Sequence, residues 1–215
     1  MNPLDMLIRQ YAAPVMKAAG FTKKGRKFRL TAPNGDCALL EFDTHAVDPE
    51  KFVFDVTFFM VPLSHWEFTY RQYRQSDEMH APDASGALAR CPVMPPPDVA
   101  WWPDEGMPFR SRWAFSEPET RDVCGQRLAR VLADEAIPRV VRLLDRRALL
   151  EEILTAPDGD LMRIRSRRMT EIILRIDDDP VADLTALLDG TEVNDWDKPI
   201  IIWARERLSQ RAAEE

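Results

Sequence analysis

The residue types able to do chemistry are few in this chain and poorly spaced for it. His65 and His80, with Asp77, Glu78 and Cys91, form the one set from which a metal site could be drawn on paper. Their separations match no zinc-ligand pattern and they fall in an irregular stretch, so no metal is expected. Asp55 stands on an otherwise apolar strand, where a carboxylate is either a base in a pocket or an outward-facing polar position, and the second is the expectation. Asp177-Asp178-Asp179 offers three adjacent carboxylates. The glycine and distal glutamate of a calcium loop are missing, however, and the triplet lies where a helix N-cap is due, so capping is the expected role. Cys37, Cys91 and Cys124 are odd in number, widely separated and contain no C-x-x-C, which indicates free thiols in a reducing compartment. No G-x-G-x-x-G, P-loop, H-E-x-x-H or G-x-S-x-G occurs. No catalytic residue and no cofactor is assigned.

What remains is the chemistry of recognition. Trp66, Tyr70 and Tyr73 share a helical spacing, each of the two tyrosines followed by an arginine, Arg71 and Arg74, while Trp101-Trp102 sit beside prolines with Arg110 downstream. Trp, Tyr and Arg anchor interfaces because they bury much area at low entropic cost. The bland reading is that these aromatics cover the open face of a sheet. Pro103 biases Trp102 toward extended backbone, where neighbours point to opposite faces; one indole is expected in the core and the other facing a partner. Charge is uneven. Six basic residues and no acid lie from Lys17 to Arg29, among them Lys23, Lys24 and Arg26, whereas eight acids and no base lie from Asp177 to Asp197. Such polarity can steer a charged partner. The net charge of -7 argues against a nucleic-acid binder, since a phosphate backbone selects for excess Lys and Arg. Candidate binding residues are therefore Trp101, Trp102, Trp66, Arg71, Arg110, Lys23, Lys24 and Arg26.

The elements that must position these residues read as follows. Leu4, Leu7, Ile8, Tyr11, Val15 and Ala18 predict an N-terminal helix ended at Gly20, with a kink or restart at Pro14. Period-2 patterns predict about four antiparallel strands over 26–32, 36–43, 52–61 and 109–115, the first two joined by the turn signal Asn34-Gly35. Residues 63–108 are Pro-rich and read as an insertion. Ser116-Glu117-Pro118-Glu119 reads as a capping box opening a helix, and helical spacing then continues to the end, broken at Pro157-Asp158-Gly159 and Gly190. Strands first and helices afterwards predict an α+β fold with C-terminal helices packing on one face of the sheet. A chain of 215 residues suits one domain, 1–157, with a helical extension, 158–215. The start carries no basic, apolar leader and no run approaches a membrane span, which leaves the cytoplasm as the expected location.

The run Gly20-Phe21-Thr22-Lys23-Lys24-Gly25-Arg26-Lys27-Phe28 after a helix, the strand Phe52 to Met60, Ala100-Trp101-Trp102-Pro103 and the stretch from Ala136-Ile137-Pro138 to Leu154 resemble the bacterial domain of unknown function DUF4304. The resemblance covers roughly residues 4–155 and implies a fold and a bacterial setting, not a reaction. The leading expectation is a non-catalytic protein-binding module, immunity-type or regulatory. The alternative is a small-ligand-binding protein or enzyme with a pocket between the sheet and the 63–108 loop.

Overall fold

The computed structural model describes residues 2–73, 79–102, 111–155, 161–163, 165–191 and 194–214. Asn2 starts the first helix, α1 (Pro3–Leu7), by accepting the Leu4 N–H at 2.9 Å. The expected break at Pro14 takes the form of a widened π turn over Ile8–Ala12, after which α2 (Ala13–Ala18) restarts with the proline in its first turn. Proline has no N–H to give, and its ring would strike the carbonyl four residues back; a wider turn moves that carbonyl aside. The same device recurs before Pro138, where a π turn over Leu132–Ala136 separates α4 (Arg121–Val131) from α5 (Ile137–Leu143). Gly20, at φ 87°, turns the chain out of α2 into the sheet.

Eight strands form the antiparallel sheet among the described residues, more than the four expected. They are β1 (Thr22–Lys24), β2 (Lys27–Thr31), β3 (Cys37–His45), β4 (Phe52–Val61), β5 (Ala89–Pro92), β6 (Ala100–Trp101), β7 (Arg112–Phe115) and β8 (Met162–Arg163). The order is β1-β2-β3-β4-β5-β8; β7 also pairs with β4, and β6 with β7. The additional strands are two to four residues long, too short to show a period. Residues 109 and 110 of the expected 109–115 strand lie outside the described residues. The 63–108 segment is not one irregular insertion: it contains α3 (Leu63–Tyr73), β5 and β6. The helix after β7 begins at Arg121 rather than at the expected capping box, because Thr120 Oγ1 folds back to accept the Ser116 N–H at 2.8 Å and leaves the helix start without a side-chain cap.

The chain divides into two compact units, interleaved in sequence. The first holds residues 1–31, 38–59 and 91–142. An aromatic row crosses its sheet on one face: Phe28, Phe42, Phe54 and Trp113 follow one another at ring separations of 6.2, 6.3 and 6.4 Å. Each such contact adds about 0.5–1.5 kcal/mol to simple burial. On the helical side Tyr11 lies so close to Gly125 of α4 that a Cβ there would sit 2.1 Å from its ring. The second unit holds residues 32–37, 60–90 and 143–215, with α3, α6 (Arg146–Thr155), α7 (Arg167–Arg175), α8 (Val181–Asp189) and α9 (Lys198–Glu214). Phe68 of α3 meets Trp203 of α9 at 5.7 Å, and Ser64 donates to the Ile173 carbonyl at 3.0 Å. No helix among the described residues is long and apolar enough to cross a membrane.

Candidate functional site

Strand alternation puts Phe52, Phe54, Val56 and Phe58 of β4 on the aromatic face and Asp55 on the other. The register pairing Phe54 with Trp113 brings Arg112, the next residue of β7, opposite Asp55, and Trp101 of β6 pairs with Arg112 in turn. The polar row so formed crosses four strands. His45, at the end of β3, places Nε2 2.8 Å from Asp55 Oδ2 and donates to it; Arg112 Nε lies 3.5 Å from Asp55 Oδ1. The Arg112 guanidinium sits 5.9 Å from the centre of the Trp101 ring. Next to Trp101, the Trp102 indole is 64% exposed. Asp55 is thus the outward-facing carboxylate expected, though it is held by His45 and Arg112. His45 and Arg112 carried no signal in the sequence; the one clue was that Asp55 falls on the polar phase of an apolar strand.

Neither tryptophan of the 101–102 pair enters the core. The place beneath β6 is taken by Trp113, whose indole donates to the Val93 carbonyl at 2.7 Å, so Trp101 is left half-buried under Arg112. The basic candidates lie at the opposite edge of the sheet. Lys23 and Lys24 are exposed on β1, with the Lys23 ammonium 5.9 Å from the Phe28 ring centre. Charged side chains on a three-residue edge strand discourage another strand from adding there. Arg26 is committed to Asp5 at 2.6 Å, and that hydrogen bond holds the Asp5 carboxyl below its ordinary range against a smaller opposing effect of burial. Arg110 lies outside the described residues.

Trp66 is corrected from a binding residue to a core residue: it is 1% exposed, with its indole N–H donating to the His80 carbonyl at 3.0 Å and its ring over Gly86. A satisfied N–H and a glycine that makes room for the ring leave it nothing to offer a partner. Arg71, also on α3, is exposed. His65 is buried with Nδ1 2.9 Å from the Gly86 carbonyl and Nε2 3.3 Å from Arg165 Nε. Burial pushes its pKa down to about 4, so the ring is neutral and serves the packing of α3. Among the described residues no group of His, Cys, Asp or Glu is arranged to hold a metal. Cys124 is pushed up to about 12 by burial, with a smaller contribution from Asp98, which keeps it a thiol.

The acidic run is largely matched within its own unit. Arg146 is buried, and its Nε and Nη2 donate to the two oxygens of Asp36 at 2.7 and 2.8 Å, while Nη1 donates to Asp177 at 2.9 Å. Burial opposes its charge, but Asp36 and then Asp177 outweigh that and raise its pKa. Arg207 joins Asp177 at 3.0 Å, Arg175 joins Asp179 at 2.5 Å and Arg205 joins Asp189 at 2.8 Å. Asp177 and Asp179 are therefore ion-pair partners and not the helix cap expected, since the N-cap of α8 is Pro180, which offers no side-chain cap. An open groove of about 620 Å³ beside Arg146, lined by Ala32, Asn34, Leu144, Arg147 and Asp178 among others, has its one buried cation already saturated. Compared with known protein families, curated proteins and solved structures, the chain matches none.

Proposed function

We propose that this chain is a non-catalytic protein-binding module, regulatory or immunity-type, whose contact surface is the sheet face at Trp101, Trp102 and Arg112. The observation that carries the reading is the Trp102 indole, left 64% exposed beside a half-buried neighbour that Arg112 covers. Covering the exposed part recovers about 25 cal/mol per Å² before the costs of association, and Trp and Arg are the residues that most often supply such anchors. The resemblance to DUF4304 read from the sequence is the ground on which a bacterial setting is proposed.

A second reading, a small-ligand binder or enzyme, has one observation in its favour. Asp55 fixes the His45 ring through Nε2, which leaves Nδ1 able to accept a proton or a ligand hydrogen bond. Capture of proteins from the source cells by wild-type chain and by Trp102→Ala and His45→Ala, all of equal melting temperature, separates the two. A protein held by wild type and by His45→Ala but released by Trp102→Ala is the expected result. Equal capture by wild type and Trp102→Ala overturns the proposal.

A further inference from the structure

Trp196 is the most exposed large apolar side chain among the described residues, with 89% of it open to solvent. Its turn is hydrogen-bonded. Asn194 Oδ1 accepts the Asp197 N–H at 2.9 Å, its amide donates to Asp197 Oδ2 at 2.8 Å, and its carbonyl accepts the Lys198 N–H at 3.2 Å. That last bond has helical spacing, so residues 195–197 form a capped first turn leading into α9. Helical periodicity then puts Trp196 on the face of Ile200 and Trp203, both buried in the second unit. The apolar stripe of α9 continues one turn beyond the point where its own unit covers it.

What stands around the indole says what would cover it. Asp195 and Asp197 flank it, and the chain carries no base from residue 177 to 197. The first base met is Lys198, exposed and paired with Asp195 at 2.6 Å. An indole is the strongest aromatic acceptor for a cation, and the acidic run in which it stands attracts a guanidinium or ammonium group toward the ring. A phosphate backbone would be repelled by that acidic run. We propose that Trp196, with Asp195 and Asp197, is a docking point for an arginine- or lysine-bearing segment of a partner protein. The proposal is independent of the sheet face in the first unit and survives its failure.

The probe is a short synthetic peptide of alternating arginine and alanine, added to the full chain, with a glutamate–alanine peptide as control. Binding is followed by calorimetry and by the indole N–H resonance of Trp196, assigned with Trp196→Phe. The arginine peptide is expected to shift that resonance. Trp196→Ala, exposed enough to fold normally, is expected to weaken binding at least about tenfold. Asp195→Asn should weaken it less and flatten its salt dependence, and Trp102→Ala should leave it unchanged. Equal affinity for wild type and Trp196→Ala, or the same shift from the glutamate peptide, overturns the proposal. Self-association of the peptide-free chain that Trp196→Ala abolishes, read by sedimentation, also overturns it and assigns the turn to a contact between copies.

Discussion

The buried ion pair between Asp36 and Arg146 gives the sharpest test of how the second unit is held. Asp36 sits in the turn between β2 and β3, 3% exposed, and its carboxylate accepts from four donors: Arg146 Nε and Nη2, the Leu63 N–H at 2.8 Å, and the Asn34 amide at 3.0 Å. One side chain therefore caps the start of α3 and neutralises the only cation buried in α6. Asp36→Asn removes the charge and turns an amide NH₂ toward groups that are all donors. Breaking a buried pair from one side costs about 3–5 kcal/mol, because the partner's charge stays buried. Asp177 still reaches Arg146, which places Asp36→Asn in the lower half of that range. Arg146→Met strands the carboxylate among neutral donors and should cost at least as much. Once one partner is gone, removing the other costs little, so the double variant should be about as unstable as either single, a coupling of about 3 kcal/mol. Urea unfolding of the four proteins measures it. A cost below about 1 kcal/mol for Asp36→Asn, or strict additivity in the cycle, would refute the reasoning.

Gly125→Ala should destabilise by about 1–3 kcal/mol through the clash with Tyr11, yet in a Tyr11→Ala background the same change should stabilise by up to about 1 kcal/mol, as alanine favours helix over glycine. Thermal melts of the four proteins check the reversal of sign. For His65 the folded pKa of about 4 lies below the unfolded 6.5, so the unfolded chain takes up a proton that the folded chain refuses. Stability should be full above about pH 6.5 and fall as the pH drops toward 4, by at most about 3 kcal/mol, and denaturant midpoints should show a shallower fall for His65→Gln. Phe28→Ala should cost about 3–5 kcal/mol because its ring is enclosed, whereas Lys27→Ala should stay within about 1 kcal/mol, its exposed ammonium pairing with Glu41 at the surface; equal melting temperatures would contradict this.

The strands that the sequence revealed were those long enough to alternate: β4 matched its expected span of 52–61, and β2 and β3 fell within two residues of theirs. Short strands such as β6 and β8 owe their existence to a neighbour, and no local pattern announces a partner. The same reason hid the row from His45 to Trp101, whose members meet only because β7 pairs with β4 in one register and not the next. Trp66 shows the opposite failure. Tryptophan next to arginine looks identical in sequence whether it is an anchor or a core residue, and only Gly86 and the His80 carbonyl, both distant in the chain, decide between them. The acidic triplet was misread because a cap is a local structure, whereas the arginines that claim Asp177, 146 and 207, come from other helices.

Each compact unit is assembled from three separate stretches of chain, and β3 and β4 run through both. Neither unit could be excised at the level of the gene as one continuous exon-like piece, nor moved between proteins as a cassette, without cutting a strand in its middle. Recombination can therefore act on this architecture only as a whole, whereas truncation after Arg142 keeps all three stretches of the first unit and only the first two of the second. A stop introduced near residue 157 keeps every stretch of the first unit but removes Asp177 and Trp203, the partners of Arg146 and Phe68, and should therefore unravel the second unit.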